Sequence, residues 1–312
     1  MALPLTGPIS LGDIQTTFVG GSNPISMSEY YAGGTYVPSG TAGFPGGVST
    51  PIPSSGTISM ANFYGSQNSV DVYYAIIAGG GGGGQTVGWE GGGGGGAGGL
   101  ILNTTSPVRV VGGNPAFIGA GGAFQVNGDN TTFLGLTAIG GGAGGYNAAT
   151  STTGSSGGSG GGSAGTYGYA SGGAGTAGQG YAGGPGNVDS AGGSGGGAGG
   201  AGSGGAYYST PATPSAAGVS LTVAGQTFVL SKGGEGAGFN RYGSGQKGAA
   251  GPWPGGGGGG NASVGTNDLA GKNGAVLVWY SGSIVKASGG TIYNSGGQVL
   301  HVFTNSGSFT LL

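Results

Sequence analysis

The sequence predicts a mainly β protein in which glycine-rich segments stack as a helix sandwich. A small module of short capped helices precedes it, and little regular α-helix is expected. Three observations carry this prediction. Glycine fills 90 of 312 positions, against a usual share of about 7%, and at about 1 kcal/mol per position relative to alanine that much glycine excludes helical bundles and coiled coils. Short apolar stretches with β alternation interrupt the glycine runs. Aromatic residues stay plentiful, with 15 Tyr, 10 Phe and 3 Trp, while only 4% of residues are charged; disordered chains have the opposite balance. Collagen is excluded because no Gly-X-Y register runs through the chain and its 14 prolines are too few.

Residues 1–66 carry an internal repeat: Pro8-Ile9-Ser10-Leu11, Pro24-Ile25-Ser26-Met27 and Thr57-Ile58-Ser59-Met60. Ser10 precedes Asp13 by three residues and Ser26 precedes Glu29 likewise, the spacing of a capping box; the third copy has Asn62, a weaker partner. Ile9, Ile25 and Ile58 precede the capping serines, and Ile14, Tyr30 and Phe63 stand at the fourth helical position, the spacing of a hydrophobic staple. Short helices are expected at about residues 10–19, 26–31 and 59–64. The six staple residues either pack together or dock onto a neighbouring protein. A 66-residue segment with so few large apolar groups is marginal alone, which favours docking.

From Val70 to Ala78 the alternation places Val70, Val72, Tyr74 and Ile76 on one face of a strand. Further strands are expected at 99–102, 107–111, 131–138 and 274–281, with a hairpin from Ser220 to Leu230 turning at Ala224-Gly225. Between them lie glycine runs such as 79–84, 91–99, 139–145 and 255–260. These read either as flexible linker or as polyproline-II-type helices, three residues per turn, packed side by side through backbone hydrogen bonds. Their recurrence, their bounding Asn, Pro, Tyr and Trp residues and the intervening strands favour stacking. Ordering costs about 1–2 kcal/mol per residue, so only dense hydrogen bonding can offset it. The domain expectation is a docking module at 1–66, a glycine-rich domain at 67–282, and a β-meander at 283–312 built from 284–285, 291–293, 299–303 and 309–312.

Asp71-Val72-Tyr73-Tyr74-Ala75-Ile76-Ile77-Ala78 running into Gly79–Gly84, then Gly95-Gly96-Ala97-Gly98-Gly99-Leu100, resembles the glycine-rich domain of bacteriophage tail-fibre and virion appendage proteins. Gly274-Ala275-Val276-Leu277-Val278-Trp279-Tyr280 fits that domain's closing hydrophobic strand, and the Ile-Ser-Leu/Met pieces are similar to short repeats of phage structural proteins, cyanophages included. His301 to Thr310 resembles a segment that often precedes such a domain, yet here it ends the chain. The resemblance to phage distal adhesins implies a polyglycine-II sandwich with receptor-binding loops at one end, and trimers are common among fibre shafts.

Enzyme chemistry is poorly supplied, and the chain is expected not to be an enzyme. No cysteine is present, so disulfides, thiolate metal sites and cysteine nucleophiles are ruled out. His301 is the sole histidine and sits in an alternating strand, where a structural role is expected. The eight acidic residues are isolated in sequence, unlike the paired carboxylates of glycosidases. Gly271-Lys272 is followed by Asn273, so no phosphate-loop signature forms. Neither a metal nor a cofactor is expected. A net charge of −2 leaves no basic stripe for nucleic acid. No apolar stretch approaches a membrane span, and no export signal is visible. Assembly inside the producing cell follows as an expectation.

The segments between runs carry the side chains suited to recognition. Tyr207, Tyr208, Phe239, Arg241, Tyr242 and Trp253 are the expected receptor-binding residues, since Tyr and Trp give rigid contact area with a polar handle. The competing reading has such aromatics, with Trp89, Tyr146, Tyr167 and Tyr169, merely capping the sandwich ends. The expected function is a virion protein, a distal tail-fibre component or adhesin that attaches to a host-surface glycan or outer-membrane protein. Its other partners would be tail-fibre proteins, with a homotrimer as one assembly. Alternatives are a repeated subunit of a fibre shaft or capsid decoration, and a glycine-rich ice-binding protein.

Overall fold

The computed structural model describes residues 2–21, 23–86, 90–146, 152–165, 170–187, 191–206, 212–239, 245–247, 249–262 and 269–312. The N-terminal module begins with α1 (Leu11–Thr17), capped by Ser10: Ser10 Oγ accepts from the Asp13 amide at 3.2 Å, and Asp13 Oδ2 accepts from the Ser10 amide at 2.7 Å. The second and third repeats are single 3-10 turns, Met27–Tyr30 and Met60–Phe63. Ser59 and Asn62 form a similar box, with Asn62 Oδ1 accepting from the Ser59 amide at 2.8 Å in the place of the Asp13 carboxylate. Ser26 caps through the Ser28 amide at 3.3 Å. Beside these turns β1 (Ala42–Gly43) pairs with β2 (Thr50–Pro51).

The staple residues meet one another. Ile14, Tyr30 and Phe63 are buried with Leu3, Phe18, Val37 and Ile52, and Ile9, Ile25 and Ile58 lie half-buried against them. Phe63 receives Phe18 and Tyr30 edge-on, with centroids 6.0 and 6.4 Å away. Of the residues expected to dock, Ile14, Tyr30 and Phe63 have 0% exposure and close the module's own core.

Beyond the module run β3 (Ser69–Ile77), β4 (Leu100–Val111), β5 (Gly113–Phe117), β6 (Thr131–Phe133) and β7 (Leu136–Ala138). Then come the hairpin β8 (Val219–Val223) and β9 (Gln226–Leu230), and a short pair β10 (Gly238–Phe239) and β11 (Gly245–Gln246). Last are β12 (Ala275–Ser281), β13 (Ala287–Ser288), β14 (Thr291–Ser295), β15 (Gln298–Phe303) and β16 (Gly307–Leu311). Two antiparallel five-stranded sheets form, in the orders β14-β15-β12-β3-β4 and β13-β16-β5-β6-β7. Val70, Val72, Tyr74 and Ile76 face the second sheet's Phe133, Phe309 and Leu311 in one core. The opposite face of the first sheet, with Ile77, Leu277 and Leu300, is covered by Val223 and Leu230 of the β8–β9 hairpin.

Several expectations change here. Residues 283–312 do not stand apart as a meander, because β15 pairs with β12 and β16 with β5, placing its strands in both sheets. The segment 131–138 folds into a hairpin, since Leu134 and Gly135 take φ of +50° and +74°. The two stretches 99–102 and 107–111 are one strand with a protrusion: Tyr74 faces Asn103 while Val72 faces Val108. The Asn103 side chain bridges to Ser106 across it, Nδ2 to the carbonyl at 2.7 Å.

The described glycine runs are for the most part buried, and their backbones bond to one another. Successive amides of 79–84 address three different neighbours in rotation. Gly79 and Gly82 donate to the carbonyls of Asp129 and Val126, Gly80 and Gly83 to Lys272 and Leu269, and Gly81 and Gly84 to Gly96 and Gly93, all within 2.6–3.0 Å. The run 91–99 repeats the pattern, with Gly93, Gly96 and Gly99 donating to Gly145, Gly142 and Ile139. Glycine is required there by space: a Cβ on Gly79 would lie 1.9 Å from the Ala120 carbonyl oxygen, and one on Gly82 would lie 1.8 Å from that of Ala123. Strands flow directly into this lattice, since the Ala78 amide beyond β3 still bonds the Gly99 carbonyl ahead of β4.

Candidate functional site

Of the six expected recognition residues, Trp253 is the one whose side chain falls among the described residues. Tyr207, Tyr208, Arg241 and Tyr242 lie outside them, as do Trp89, Tyr167 and Tyr169, and the Phe239 side chain is likewise not described. Trp253 stands between Gly251 and the run 255–260. Its indole meets Phe228 of β9 edge-on, centroids 6.3 Å apart at 69°, and keeps 37% of its surface exposed. The indole is thus both held and presented.

Trp253 lines an open recess of about 410 Å³ with Gly271, Lys272, Asn273, Thr304 and Asn305. Three chain segments build it: the turn before 255–260, the end of the 269–274 segment, and the turn between β15 and β16. Its floor is fixed by the lattice. The Lys272 carbonyl accepts from Gly80 and its amide donates to Gly256 at 2.8 Å. Asn273 Oδ1 accepts from the Gly121 amide at 2.9 Å, which orients the side-chain amide with its Nδ2 hydrogens still to offer. Asn305 Nδ2 donates to Thr304 Oγ1 at 3.3 Å, leaving Asn305 Oδ1 as an acceptor. The recess therefore combines an aromatic surface, a cation and oriented amides.

Sequence reasoning found Trp253 and missed the other side chains. Lys272 carried a signal, being one of only six Lys and Arg residues and standing in Gly271-Lys272-Asn273-Gly274 just ahead of the apolar strand. Thr304 and Asn305 carried none, because a turn about fifty residues further along the chain becomes a neighbour of Trp253 only through sheet pairing.

His301 is fully buried and has a structural role. Its Nδ1 lies 2.8 Å from the Gly289 carbonyl, an acceptor, so Nδ1 carries the proton. Tyr280 Oη accepts from the Lys286 amide at 2.9 Å and donates to His301 Nε2 at 3.3 Å. Burial holds the imidazole below its ordinary pKa, against the raising effect of the Gly289 bond. A bidentate ion pair joins Arg109 to Asp71, with both contacts at 2.9 Å, and Arg109 also donates to the Ser39 carbonyl of the N-terminal module. Among the described residues no cluster of His, Cys, Asp and Glu could hold a metal ion, and no helix is long and apolar enough to cross a membrane.

No curated protein and no solved structure matches the chain. A family model described as a glycine-rich domain matches residues 54–281, a span that takes in β3, the lattice and β12. The first and last strands of that span pair directly, from Ala275 opposite Ile77 to Trp279 opposite Tyr73. The chain belongs to the glycine-rich domain family.

Proposed function

We propose that the chain is a bacteriophage virion protein, a distal tail-fibre component that attaches to the host cell surface. The observation that carries this reading is the glycine lattice. Runs bonded to several neighbours at once form a rigid body with few charges, and the intervening segments bear the side chains that can recognise a partner. The resemblance of the segments around Asp71–Ala78, Gly95–Leu100 and Gly274–Tyr280 to phage appendage proteins supplies the biological setting. In this reading the protein is assembled in the host cytoplasm, acts by binding rather than catalysis, and uses no cofactor. Its partners are neighbouring fibre proteins and a host glycan or outer-membrane protein. Anchoring by residues 1–66 then falls to the exposed Leu5, Phe44 and Val48 rather than to the sealed staples.

A second reading, a repeated subunit of a fibre shaft or capsid decoration, is favoured by the closed core of the N-terminal module. Immunogold electron microscopy of intact virions, with antibody against residues 206–254, separates the two. Label confined to fibre tips is the expected result. Label along shafts or over the capsid overturns the tip assignment in favour of the repeated subunit. The ice-binding alternative predicts thermal hysteresis in the purified protein, and its absence removes that alternative.

A further inference from the structure

We infer that the recess lined by Trp253, Lys272, Asn273, Thr304 and Asn305 is a binding subsite for an acidic sugar. The inference deepens the attachment reading and rests on it only for the biological source of that sugar. An indole that packs against Phe228 and keeps 37% of its surface exposed offers an apolar surface to the C–H face of a pyranose ring, with its N–H as a polar handle. Around it stand groups that match ring hydroxyls: Asn273 Nδ2 as donor, Asn305 Oδ1 as acceptor, and the Thr304 hydroxyl. Asn273 is oriented in advance by the Gly121 amide, so little ordering remains to oppose binding.

The charge selects the class. Lys272 is half-buried at the recess, and among the described residues it makes no ion pair and no carboxylate lines the cavity. A lysine binds a carboxylate as a point charge, and the other described residues that line the recess are neutral. A phosphate site would call for a cradle of convergent backbone amides, whereas the amides of Lys272 and Gly271 are already bonded to the carbonyls of Gly256 and Gly122. A sugar bearing a carboxylate uses the aromatic, the amides and the cation together.

Isothermal titration of the full chain at low salt tests the inference, using a glucuronic-acid-terminated disaccharide and its glucose-terminated counterpart. The expected result is tighter binding of the acidic sugar by about fivefold or more, weakening as salt screens Lys272. Lys272→Gln is expected to abolish that preference, and Trp253→Ala to weaken both sugars by about tenfold or more. No binding of either sugar, or a preference unchanged in Lys272→Gln, overturns the inference. Should Trp253→Ala fail to fold, Lys272→Gln decides, since the Lys272 side chain makes no hydrogen bond or ion pair among the described residues. A protein that labels fibre tips yet binds neither sugar keeps the attachment reading and loses this subsite. One that binds the acidic sugar but labels the capsid does the reverse.

Discussion

The N-terminal module and the glycine lattice solve the same problem with opposite means. The module excludes water with side chains: Ile14, Tyr30 and Phe63 fill its centre, and caps at Ser10, Ser26 and Ser59 satisfy the ends of its helical turns. The lattice has almost no side chains and excludes water with backbone, each run surrounded by carbonyls and amides of its neighbours. Where the module depends on apolar area, at about 25 cal/mol per Å², the lattice depends on hydrogen bonds worth about 1 kcal/mol each. The module should tolerate volume-conserving exchange of its side chains; the lattice should tolerate no added side chain where a carbonyl occupies the space.

The sharpest break in that comparison is Gly82→Ala. A methyl group 1.8 Å from the Ala123 carbonyl oxygen must push two runs apart and lengthen bonds on several faces. We expect a loss of about 3 kcal/mol or more, read as a large fall in the thermal midpoint; an unchanged midpoint would contradict the packing described here. Phe63→Ala attacks the other region. Emptying the centre of the module should destabilise it by about 3–5 kcal/mol, and limited proteolysis should show cleavage within residues 1–66 while the glycine-rich body resists.

A smaller effect is expected from pH. An unfolded histidine protonates near 6.5, whereas buried His301 protonates only below that value, so the unfolded state binds the proton first. Stability should be flat above about pH 7 and fall as pH drops through 6.5. Denaturant midpoints at pH 8, 6.5 and 5 measure this, and His301→Gln should flatten the slope in that window. Smallest is Gly135→Ala. Gly135 has φ +74° and open space around it, so the methyl meets backbone strain alone, about 1–2 kcal/mol. Gly82→Ala and Gly135→Ala therefore separate the two reasons for glycine in one chain. Equal losses in the two variants would show that the lattice yields to an added methyl group and that crowding at Gly82 costs little.

Much of the strand content was legible because it was local. The alternation from Val70 to Ile76 and the apolar run from Ala275 to Tyr280 mark β3 and β12, and Ala224-Gly225 marks the hairpin, with φ of +47° and +73°. Strand β5 was hidden because Gly113-Asn114-Pro115 has the composition of a turn; it is a strand because β16 and β6 flank it. Thr104 to Pro107 concealed the continuity of β4, since a polar protrusion at a sheet edge has no apolar pattern to display. The pairing of β15 with β12 was beyond local reading, and with it the approach of Asn305 to Trp253. Aromatic character flagged one wall of the recess, and long-range topology supplied the others.

The rotation of partners along each run has a consequence for how such a chain can change length. Adding or deleting three residues within 79–84 would leave every amide facing the neighbour it faces now. A change of one or two would turn each remaining amide toward the wrong neighbour. Length variation inside the runs is therefore restricted to triplets, while the segments between runs can grow or shrink residue by residue without disturbing that registry.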